Sequence, residues 1–201
     1  MADPHGEDPP GATPLEAEDL EGLIPTFIST RADLNIAEQA NIEDATMWAF
    51  RRRSALPVNE ILSVSFVFDL HRRMFGNVWR WAGKQRQRQS NIGVEPYTVV
   101  TETKSLLDDS AYWHAHATYD PVELAVRTHH RLVSVHPFRN GNGRHARFMA
   151  DLYLHAAGRP RLSWGSGKSL DTDNDNRNAY INALRTADAD DIQPLVEFAL
   201  S

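Results

Sequence analysis

Between residues 136 and 147 the chain reads HPFRNGNGRHAR, and those residue types suit one kind of chemistry. His136 is a base. The alternation Asn140, Gly141, Asn142, Gly143 can take positive φ angles and turn successive backbone N–H groups to one side, a concavity that binds anions. Arg144 and Arg147, three residues apart, fall on one side of a helical turn, where both guanidinium forks can reach phosphate oxygens. Phosphoryl or nucleotidyl transfer asks for in-line positioning, neutralisation of charge and removal of a proton from the attacking hydroxyl. A base, an anion nest and two arginines supply those three.

The neighbouring pattern shows what would position them. Val122, Ala125, Val126, His129, Leu132 and Val133 form a helical stripe over 121–135. Pro137 disfavours the α conformation at the residue before it, so that helix should end at His136. The next helix should begin at about Gly143, pack Ala146, Met149, Ala150, Tyr153 and Leu154, and stop at Gly158. Its N-terminus would aim unpaired amides and the positive end of a dipole at the same point. Elsewhere the spacing predicts a short helix from Thr13 to Gly22 and helices over about 32–53, 59–75, 99–112, 175–186 and 192–200. Residues 83–100, GKQRQRQSNIGVEPYTVV, break an apolar-polar alternation at Gly93 and Pro96 and read as a short hairpin or extended flap. The first twelve residues, rich in Pro and Gly and poor in apolar side chains, read as a disordered lead. The fold class expected is mainly α.

Composition narrows the function. A chain of 201 residues, 41% hydrophobic with five Trp, can bury the core of one main domain. No apolar run approaches the roughly 18 residues that cross a bilayer, and MADPHGEDPPG lacks the regions of a signal peptide, so a cytoplasmic protein without membrane contact is expected. A net charge of -6 does not favour direct nucleic-acid binding. Cys is absent, which excludes disulfides, thiol nucleophiles and thiolate metal sites. His129, His130 and His145 lack metal-ligand spacing, and His129 lies on the apolar stripe, so they read as core or surface residues. GSGKS at 165–169 has the tail of a phosphate-binding loop, but Leu162 stands where that pattern needs Gly, and it reads as a turn. Arg51, Arg52 and Arg53 read as a solvated helix end.

HPFRNGNGRHAR resembles the Fic motif HxFx(D/E)GNxRxxR at every defined position but one. LHRRMFGNVWRWAG at 70–83, NIGVEPYTV at 91–99 and YINALRTADADDIQPLVEF at 180–198 are similar to further Fic segments. The likeness covers about 58–200 and leaves 13–57 as an N-terminal helical extension. Within that extension, GATPLEAEDLEGLIPTFISTRADLNIAEQANI is similar to the subgroup called mobile mystery protein B, compact bacterial proteins often encoded on mobile elements beside a helix-turn-helix protein.

The resemblance implies a Fic-type helical bundle with a short β-hairpin flap, and a toxin-like protein adenylyltransferase that moves AMP from ATP to a Ser, Thr or Tyr hydroxyl of a target protein. By position His136 would be the general base, and Gly141, Asn142 and Gly143 the anion hole. Arg144 and Arg147 would contact phosphates, Phe138 would anchor the loop, and Tyr180 would lie against adenine. Ile92, Gly93, Val94 and Tyr97 of the flap would hold the target segment as an added strand. Asn140 stands where the family has the acid that holds Mg²⁺; its amide oxygen brings no negative charge, so a weakened Mg²⁺ site is expected. Two alternatives follow. The fold could transfer phosphate, as the Doc branch does with a Lys where this chain has Gly143, or it could be a non-catalytic binding module disabled at Asn140. Many Fic proteins also carry an inhibitory (S/T)xxxE(G/N) helix whose Glu pairs with the second motif arginine, here Arg147. Glu21, followed by Gly22 but with Ala17 at the hydroxyl position, and Glu38, followed by Gln39, are the candidates. A separate regulator or antitoxin is the other source of control.

Overall fold

Side-chain caps decide where several helices start. The computed structural model describes residues 17–51, 55–165, 170 and 174–201. Its first helices are α1 (Ala17–Leu20) and α2 (Arg31–Phe50). Thr30 opens α2: its hydroxyl accepts the Asp33 N–H at 3.1 Å while the Asp33 carboxylate accepts the Thr30 N–H at 2.9 Å, a reciprocal capping box. Then come α3 (Val58–Ile61), α4 (Val64–Phe75), a 3₁₀ turn (Pro96–Thr98) and α5 (Val99–Ala115). Asp120 accepts the Val122 N–H at 2.9 Å to start α6 (Pro121–Val135), whose first residue is the Pro that such a position favours. α7 (Asn142–Ala156), α8 (Asp175–Asp188) and α9 (Gln193–Leu200) complete the described elements.

The helix expected over 59–75 is two helices. Ser63 divides them because its hydroxyl donates to the Glu60 carbonyl at 2.7 Å and accepts the Phe66 N–H at 3.2 Å, closing one helix and capping the next. α2 ends at Phe50, short of residue 53; Arg52, Arg53, the first sixteen residues and most of GSGKS lie outside the described residues. α5 runs three residues past 112. The hairpin expected over 83–100 does not form: among the described residues there is no strand, only an isolated antiparallel bridge between Leu23 and Trp79. The segment's ladder groups are used elsewhere, since Arg86 N–H bonds the Pro137 carbonyl at 3.0 Å and Val94 N–H reaches the Val135 carbonyl at 3.4 Å. The flap's backbone therefore bonds to the end of α6 and to Pro137 beyond it, while its internal bonds run through side chains such as Arg86.

α6 and α7 form the centre, with α5 and α9 against α6, α3 and α4 against α7, α2 on α4, and α8 on α9. The expected α6 stripe is inward, with Ala125, Val126, His129 and Leu132 buried, and all five residues expected on the packed face of α7 are buried. Phe138, Leu70 and Ala146 are fully enclosed between these helices. No helix among the described residues is long and apolar enough to cross a membrane.

Three histidines sit in this core with no exposure: His71, His129 and His145. Burial holds the His145 imidazole at about 3, the Val67 carbonyl bond opposing it only partly. Burial likewise holds His71 and His129 well below the ordinary 6.5. In the folded chain they stay neutral where the unfolded chain binds protons, so their stabilisation is complete above about 6.5 and is lost as pH falls towards the folded values. For His145 alone the loss at pH 5 is about 2 kcal/mol at about 1.4 kcal/mol per unit. Thermal melts should therefore show Tm falling by several degrees between pH 7.5 and pH 5; a Tm that holds or rises over that interval would contradict this burial.

Candidate active site

The motif loop is built by its own side chains before any ligand enters. α6 ends at His136, which adopts the left-handed conformation, φ 54° and ψ 63°. A non-glycine residue there costs of order 1 kcal/mol and needs support. Arg86 gives it: its Nε donates to the His136 carbonyl at 2.6 Å, its Nη1 to the Arg88 carbonyl at 2.9 Å and its Nη2 to the Val94 carbonyl. Gly93 is packed into the same junction at φ 112°, where a Cβ would lie 2.7 Å from Arg86 Nη2 and 2.7 Å from His136 Cβ. The flap thus lies on the base and cannot lift without breaking the Arg86 bonds.

Phe138 then turns inward. The Asn142 side chain accepts the Phe138 N–H at 2.9 Å and donates to the Phe138 carbonyl at 2.9 Å, closing the loop as a ring. Asn142 was expected on the nucleotide; its amide is spent on the loop, and only its backbone is left to face the cleft. Gly141, at φ 77°, lets the chain pass against the Phe75 ring, which a Cβ there would meet at 2.6 Å. α7 begins at once with Asn142, so the first N–H groups of the helix, which have no intrahelical acceptors, face the cleft.

The cleft opens to solvent and is bordered by His136, Gly141, Gly143, Arg144, Arg147 and Tyr180. Arg147 lies over the Tyr180 ring at 5.4 Å. The Tyr180 hydroxyl is 3.0 Å from His129 Nε2, and burial raises its pKa, so the phenol is neutral. Arg144 lies over the Phe75 ring at 5.0 Å and donates to Glu38 Oε2 at 2.7 Å. Of the flap residues, Ile92 borders the cleft, Gly93 and Val94 lie against the His136 junction, and Tyr97 is 81% exposed outside it.

The acids expected on Arg147 are elsewhere. Glu21 is exposed, and its backbone carbonyl accepts from Arg80 at 3.2 Å. Glu38 is paired with Arg144. The acid of α1 that does reach the motif is Asp19, 5% exposed, which holds Arg139 at 3.1 Å and Arg88 at 3.2 Å. Nor do the residues fit a resident Mg²⁺. Asn140 Oδ1 accepts the Gly141 N–H at 2.7 Å, and among the described residues no cluster of three or more metal-binding side chains exists. A neutral, internally bonded oxygen is a poor ligand for a hard dication.

His71, Arg86 and Asp19 were not singled out from sequence. His71 offered one signal, since it falls with Val67, Leu70 and Met74 on the buried face of α4. Arg86 sits in the polar run QRQRQ and offered none.

The Fic/DOC family pattern matches residues 61–154, which contain the whole loop and cleft floor. The chain carries a Fic/DOC family domain. Protein adenylyltransferase fic-1 of Caenorhabditis elegans is 32% identical over 145 residues, 68% of this chain and 26% of that protein. Protein adenylyltransferase Fic of Drosophila yakuba is 30% identical over 142 residues, 68% of this chain and 27% of that protein. The chain thus aligns with about a quarter of the length of these curated relatives. Among solved structures, Fic-1 (residues 134–508) from C. elegans superposes with a TM-score of 0.61 at 26% identity, covering 89% of this chain and 50% of that one. BepC from Bartonella tribocorum, with bound AMPPNP, shares the fold at a TM-score of 0.67 and 17% identity, covering 91% of this chain and 96% of that one.

In this Fic/DOC domain the His136 imidazole is held neutral. Burial lowers the His136 pKa from 6.5 to about 4; its contact with the Val133 carbonyl, 3.4 Å from Nδ1, opposes the shift and the Arg86 charge adds to it. At neutral pH the ring is neutral and able to accept a proton. An NMR titration of the His136 ring should show a midpoint at about 4 and no change between pH 6 and 8; a midpoint near 6.5 would show that the ring is solvated and the flap displaced.

Proposed function

We propose that the chain is a cytoplasmic protein adenylyltransferase whose Fic/DOC domain spans 58–200, with 13–57 as its N-terminal extension. The observation that carries this is a buried, neutral imidazole beside a cleft floored by a helix N-terminus and two arginines. In the reaction a hydroxyl oxygen of the target protein forms a bond to the α-phosphorus of ATP, and the bond from that phosphorus to the oxygen bridging the β-phosphate breaks. The hydroxyl proton passes to His136, and pyrophosphate leaves. Backbone N–H groups at Gly141, Asn142 and Gly143 face the developing negative charge, and Arg144 and Arg147 hold the phosphate chain. Tyr180, with Ile181 and Leu184, offers the apolar wall for adenine. The names of the curated relatives support this reading, as does the AMPPNP bound to BepC.

Ile92, Gly93, Val94 and Tyr97 would meet the target segment. Because their flap is pinned to His136, a target bound along it would present its hydroxyl beside the base. No step runs through a metal held by the protein. With Glu21 exposed, restraint would come from a separate regulator or antitoxin, consistent with the likeness of the extension to mobile mystery protein B of bacterial mobile elements.

Gly143 favours nucleotidyl over phosphate transfer. A Cβ there would lie 3.5 Å from Arg147 Nη1 and 3.8 Å from the Tyr180 hydroxyl, so the missing side chain leaves cleft space next to both groups. The experiment is incubation of the chain with cell extract and ATP labelled in the α- or the γ-phosphate. Protein-attached label is expected from the α-phosphate, falling at least about 100-fold in His136→Ala, the lower range for a lost general base. Label from the γ-phosphate alone would make the chain a phosphotransferase, and none from either would leave a binding module.

A further inference from the structure

We infer that Glu38 is a positioning residue for Arg144, holding the first motif arginine in its working geometry rather than restraining the site. This rests on the adenylyltransferase reading above. Glu38 is 4% exposed, and each carboxylate oxygen has one directed partner: the Trp79 indole N–H donates to Oε1 at 2.7 Å, and Arg144 Nη1 donates to Oε2 at 2.7 Å. The carboxylate is thereby fixed at both ends. The helix that carries it is fixed as well, since Asn41, one turn further on, donates to the Arg73 carbonyl at 2.8 Å and accepts the Asn77 N–H at 2.9 Å. Trp79 follows that same turn and is 1% exposed, stacked on Trp81 at 4.8 Å.

The side on which Glu38 stands decides between positioning and restraint. Arg31 and Asn35, seven and three residues back along α2, border the cleft with Arg144, but Glu38 does not. A restraining acid would have to occupy the space of the phosphates or pull a guanidinium out of it. Glu38 instead lies behind the guanidinium, whose side chain is 21% exposed against 6% for Glu38, while Phe75 supports the flat face at 5.0 Å. A planar fork gripped along one edge and one face has little freedom left, and the rest of it is directed at the cleft. Arg147 has a different support, the neutral phenol of Tyr180. The two arginines are therefore held unequally: Arg144 is gripped by a buried carboxylate, whereas Arg147 rests on the Tyr180 ring with the Asp151 carboxyl one turn further along α7.

That asymmetry sets what loss of the Glu38 charge does. Glu38→Gln keeps the volume and an oxygen for Trp79 but frees Arg144 and removes a negative charge from beneath the phosphate site. Ground-state attraction for ATP should hold or strengthen while alignment in the transition state is lost, so kcat falls about tenfold with KM for ATP unchanged or lower. A merely structural residue would instead lower the melting point and raise KM. In an Arg144→Ala background, adding Glu38→Gln should change kcat less than about twofold, because the two act as one unit.

The test measures kcat and KM for ATP in automodification, with melting curves, for wild type, Glu38→Gln, Arg144→Ala and the double variant. Where Glu38→Gln does not fold, Glu38→Asp, which keeps the charge but retracts it by one carbon from Arg144, takes its place, with the same fall in kcat and an unchanged KM for ATP expected. A rise in kcat on losing Glu38 would overturn the proposal and make the acid a brake. An unchanged kcat, or additive effects in the double variant, would overturn it too. If the wild type transfers nothing, the adenylyltransferase reading falls by itself, and calorimetry with a non-hydrolysable ATP analogue decides the role of Glu38. Equal or tighter binding in Glu38→Gln with weaker binding in Arg144→Ala sustains it; weaker binding in Glu38→Gln, or none by wild type, overturns it.

Discussion

The imidazole of His71 joins the parts from which the site is made. Its Nδ1 accepts the Gly83 N–H at 3.0 Å, which leaves Nε2 as the protonated nitrogen that donates to the Asn140 carbonyl at 3.0 Å. Its face stacks on Phe138 at 3.7 Å, and it lies 4.7 Å from the Phe75 ring. One neutral ring thus ties α4, the start of the flap segment and the motif loop into a single unit. Protonation would put a second proton where Gly83 already donates, so the low pKa that burial imposes is a condition of the geometry. Everything that faces the cleft, from the left-handed His136 to the first turn of α7, hangs from this junction.

Burial also explains why the charges differ in kind across the cleft. The histidines nearby are kept neutral by enclosure, while the two motif arginines keep their charge against different partners, a carboxylate for Arg144 and a phenol for Arg147. An anion entering the cleft would meet positive charge on one wall and a neutral base on the other. That division suits a reaction in which the phosphates must be held and a proton removed beside them. The flap adds rigidity, because Arg86 spends its donors on three carbonyls of the chain.

Much of this was legible because it is local. The end of α6 follows from Pro137, the start of α7 from the glycines, and the inward faces of both helices from spacing alone. The twelve residues of the motif hold the base, the nest and both arginines, so their proximity needs no tertiary information. What the sequence did not show depends on partners far along the chain: His71 meets Asn140 across 69 residues, Glu38 meets Arg144 across 106, and Asp19 meets Arg139 across 120. The break at Ser63 was hidden because the apolar period continues through it and only the hydroxyl marks the cap. The hairpin expectation failed for a related reason: alternation and Gly93 say that a segment is extended, but not that its hydrogen bonds go to α6. The Glu21-Gly22 pair shows the converse error, a local pattern match at a residue that the fold leaves exposed.

The central claim is that the loop at 140–143 and the first turn of α7 form an anion cradle already in place before ligand binds. Backbone amide NMR during titration with a non-hydrolysable ATP analogue tests it most directly. The largest shifts should fall on the N–H groups of Gly141, Asn142, Gly143 and Arg144, with the Phe138 N–H, locked by the Asn142 side chain, nearly still. Large shifts at Phe138, showing a loop that rebuilds on binding, or shifts confined to other parts of the surface, would contradict it.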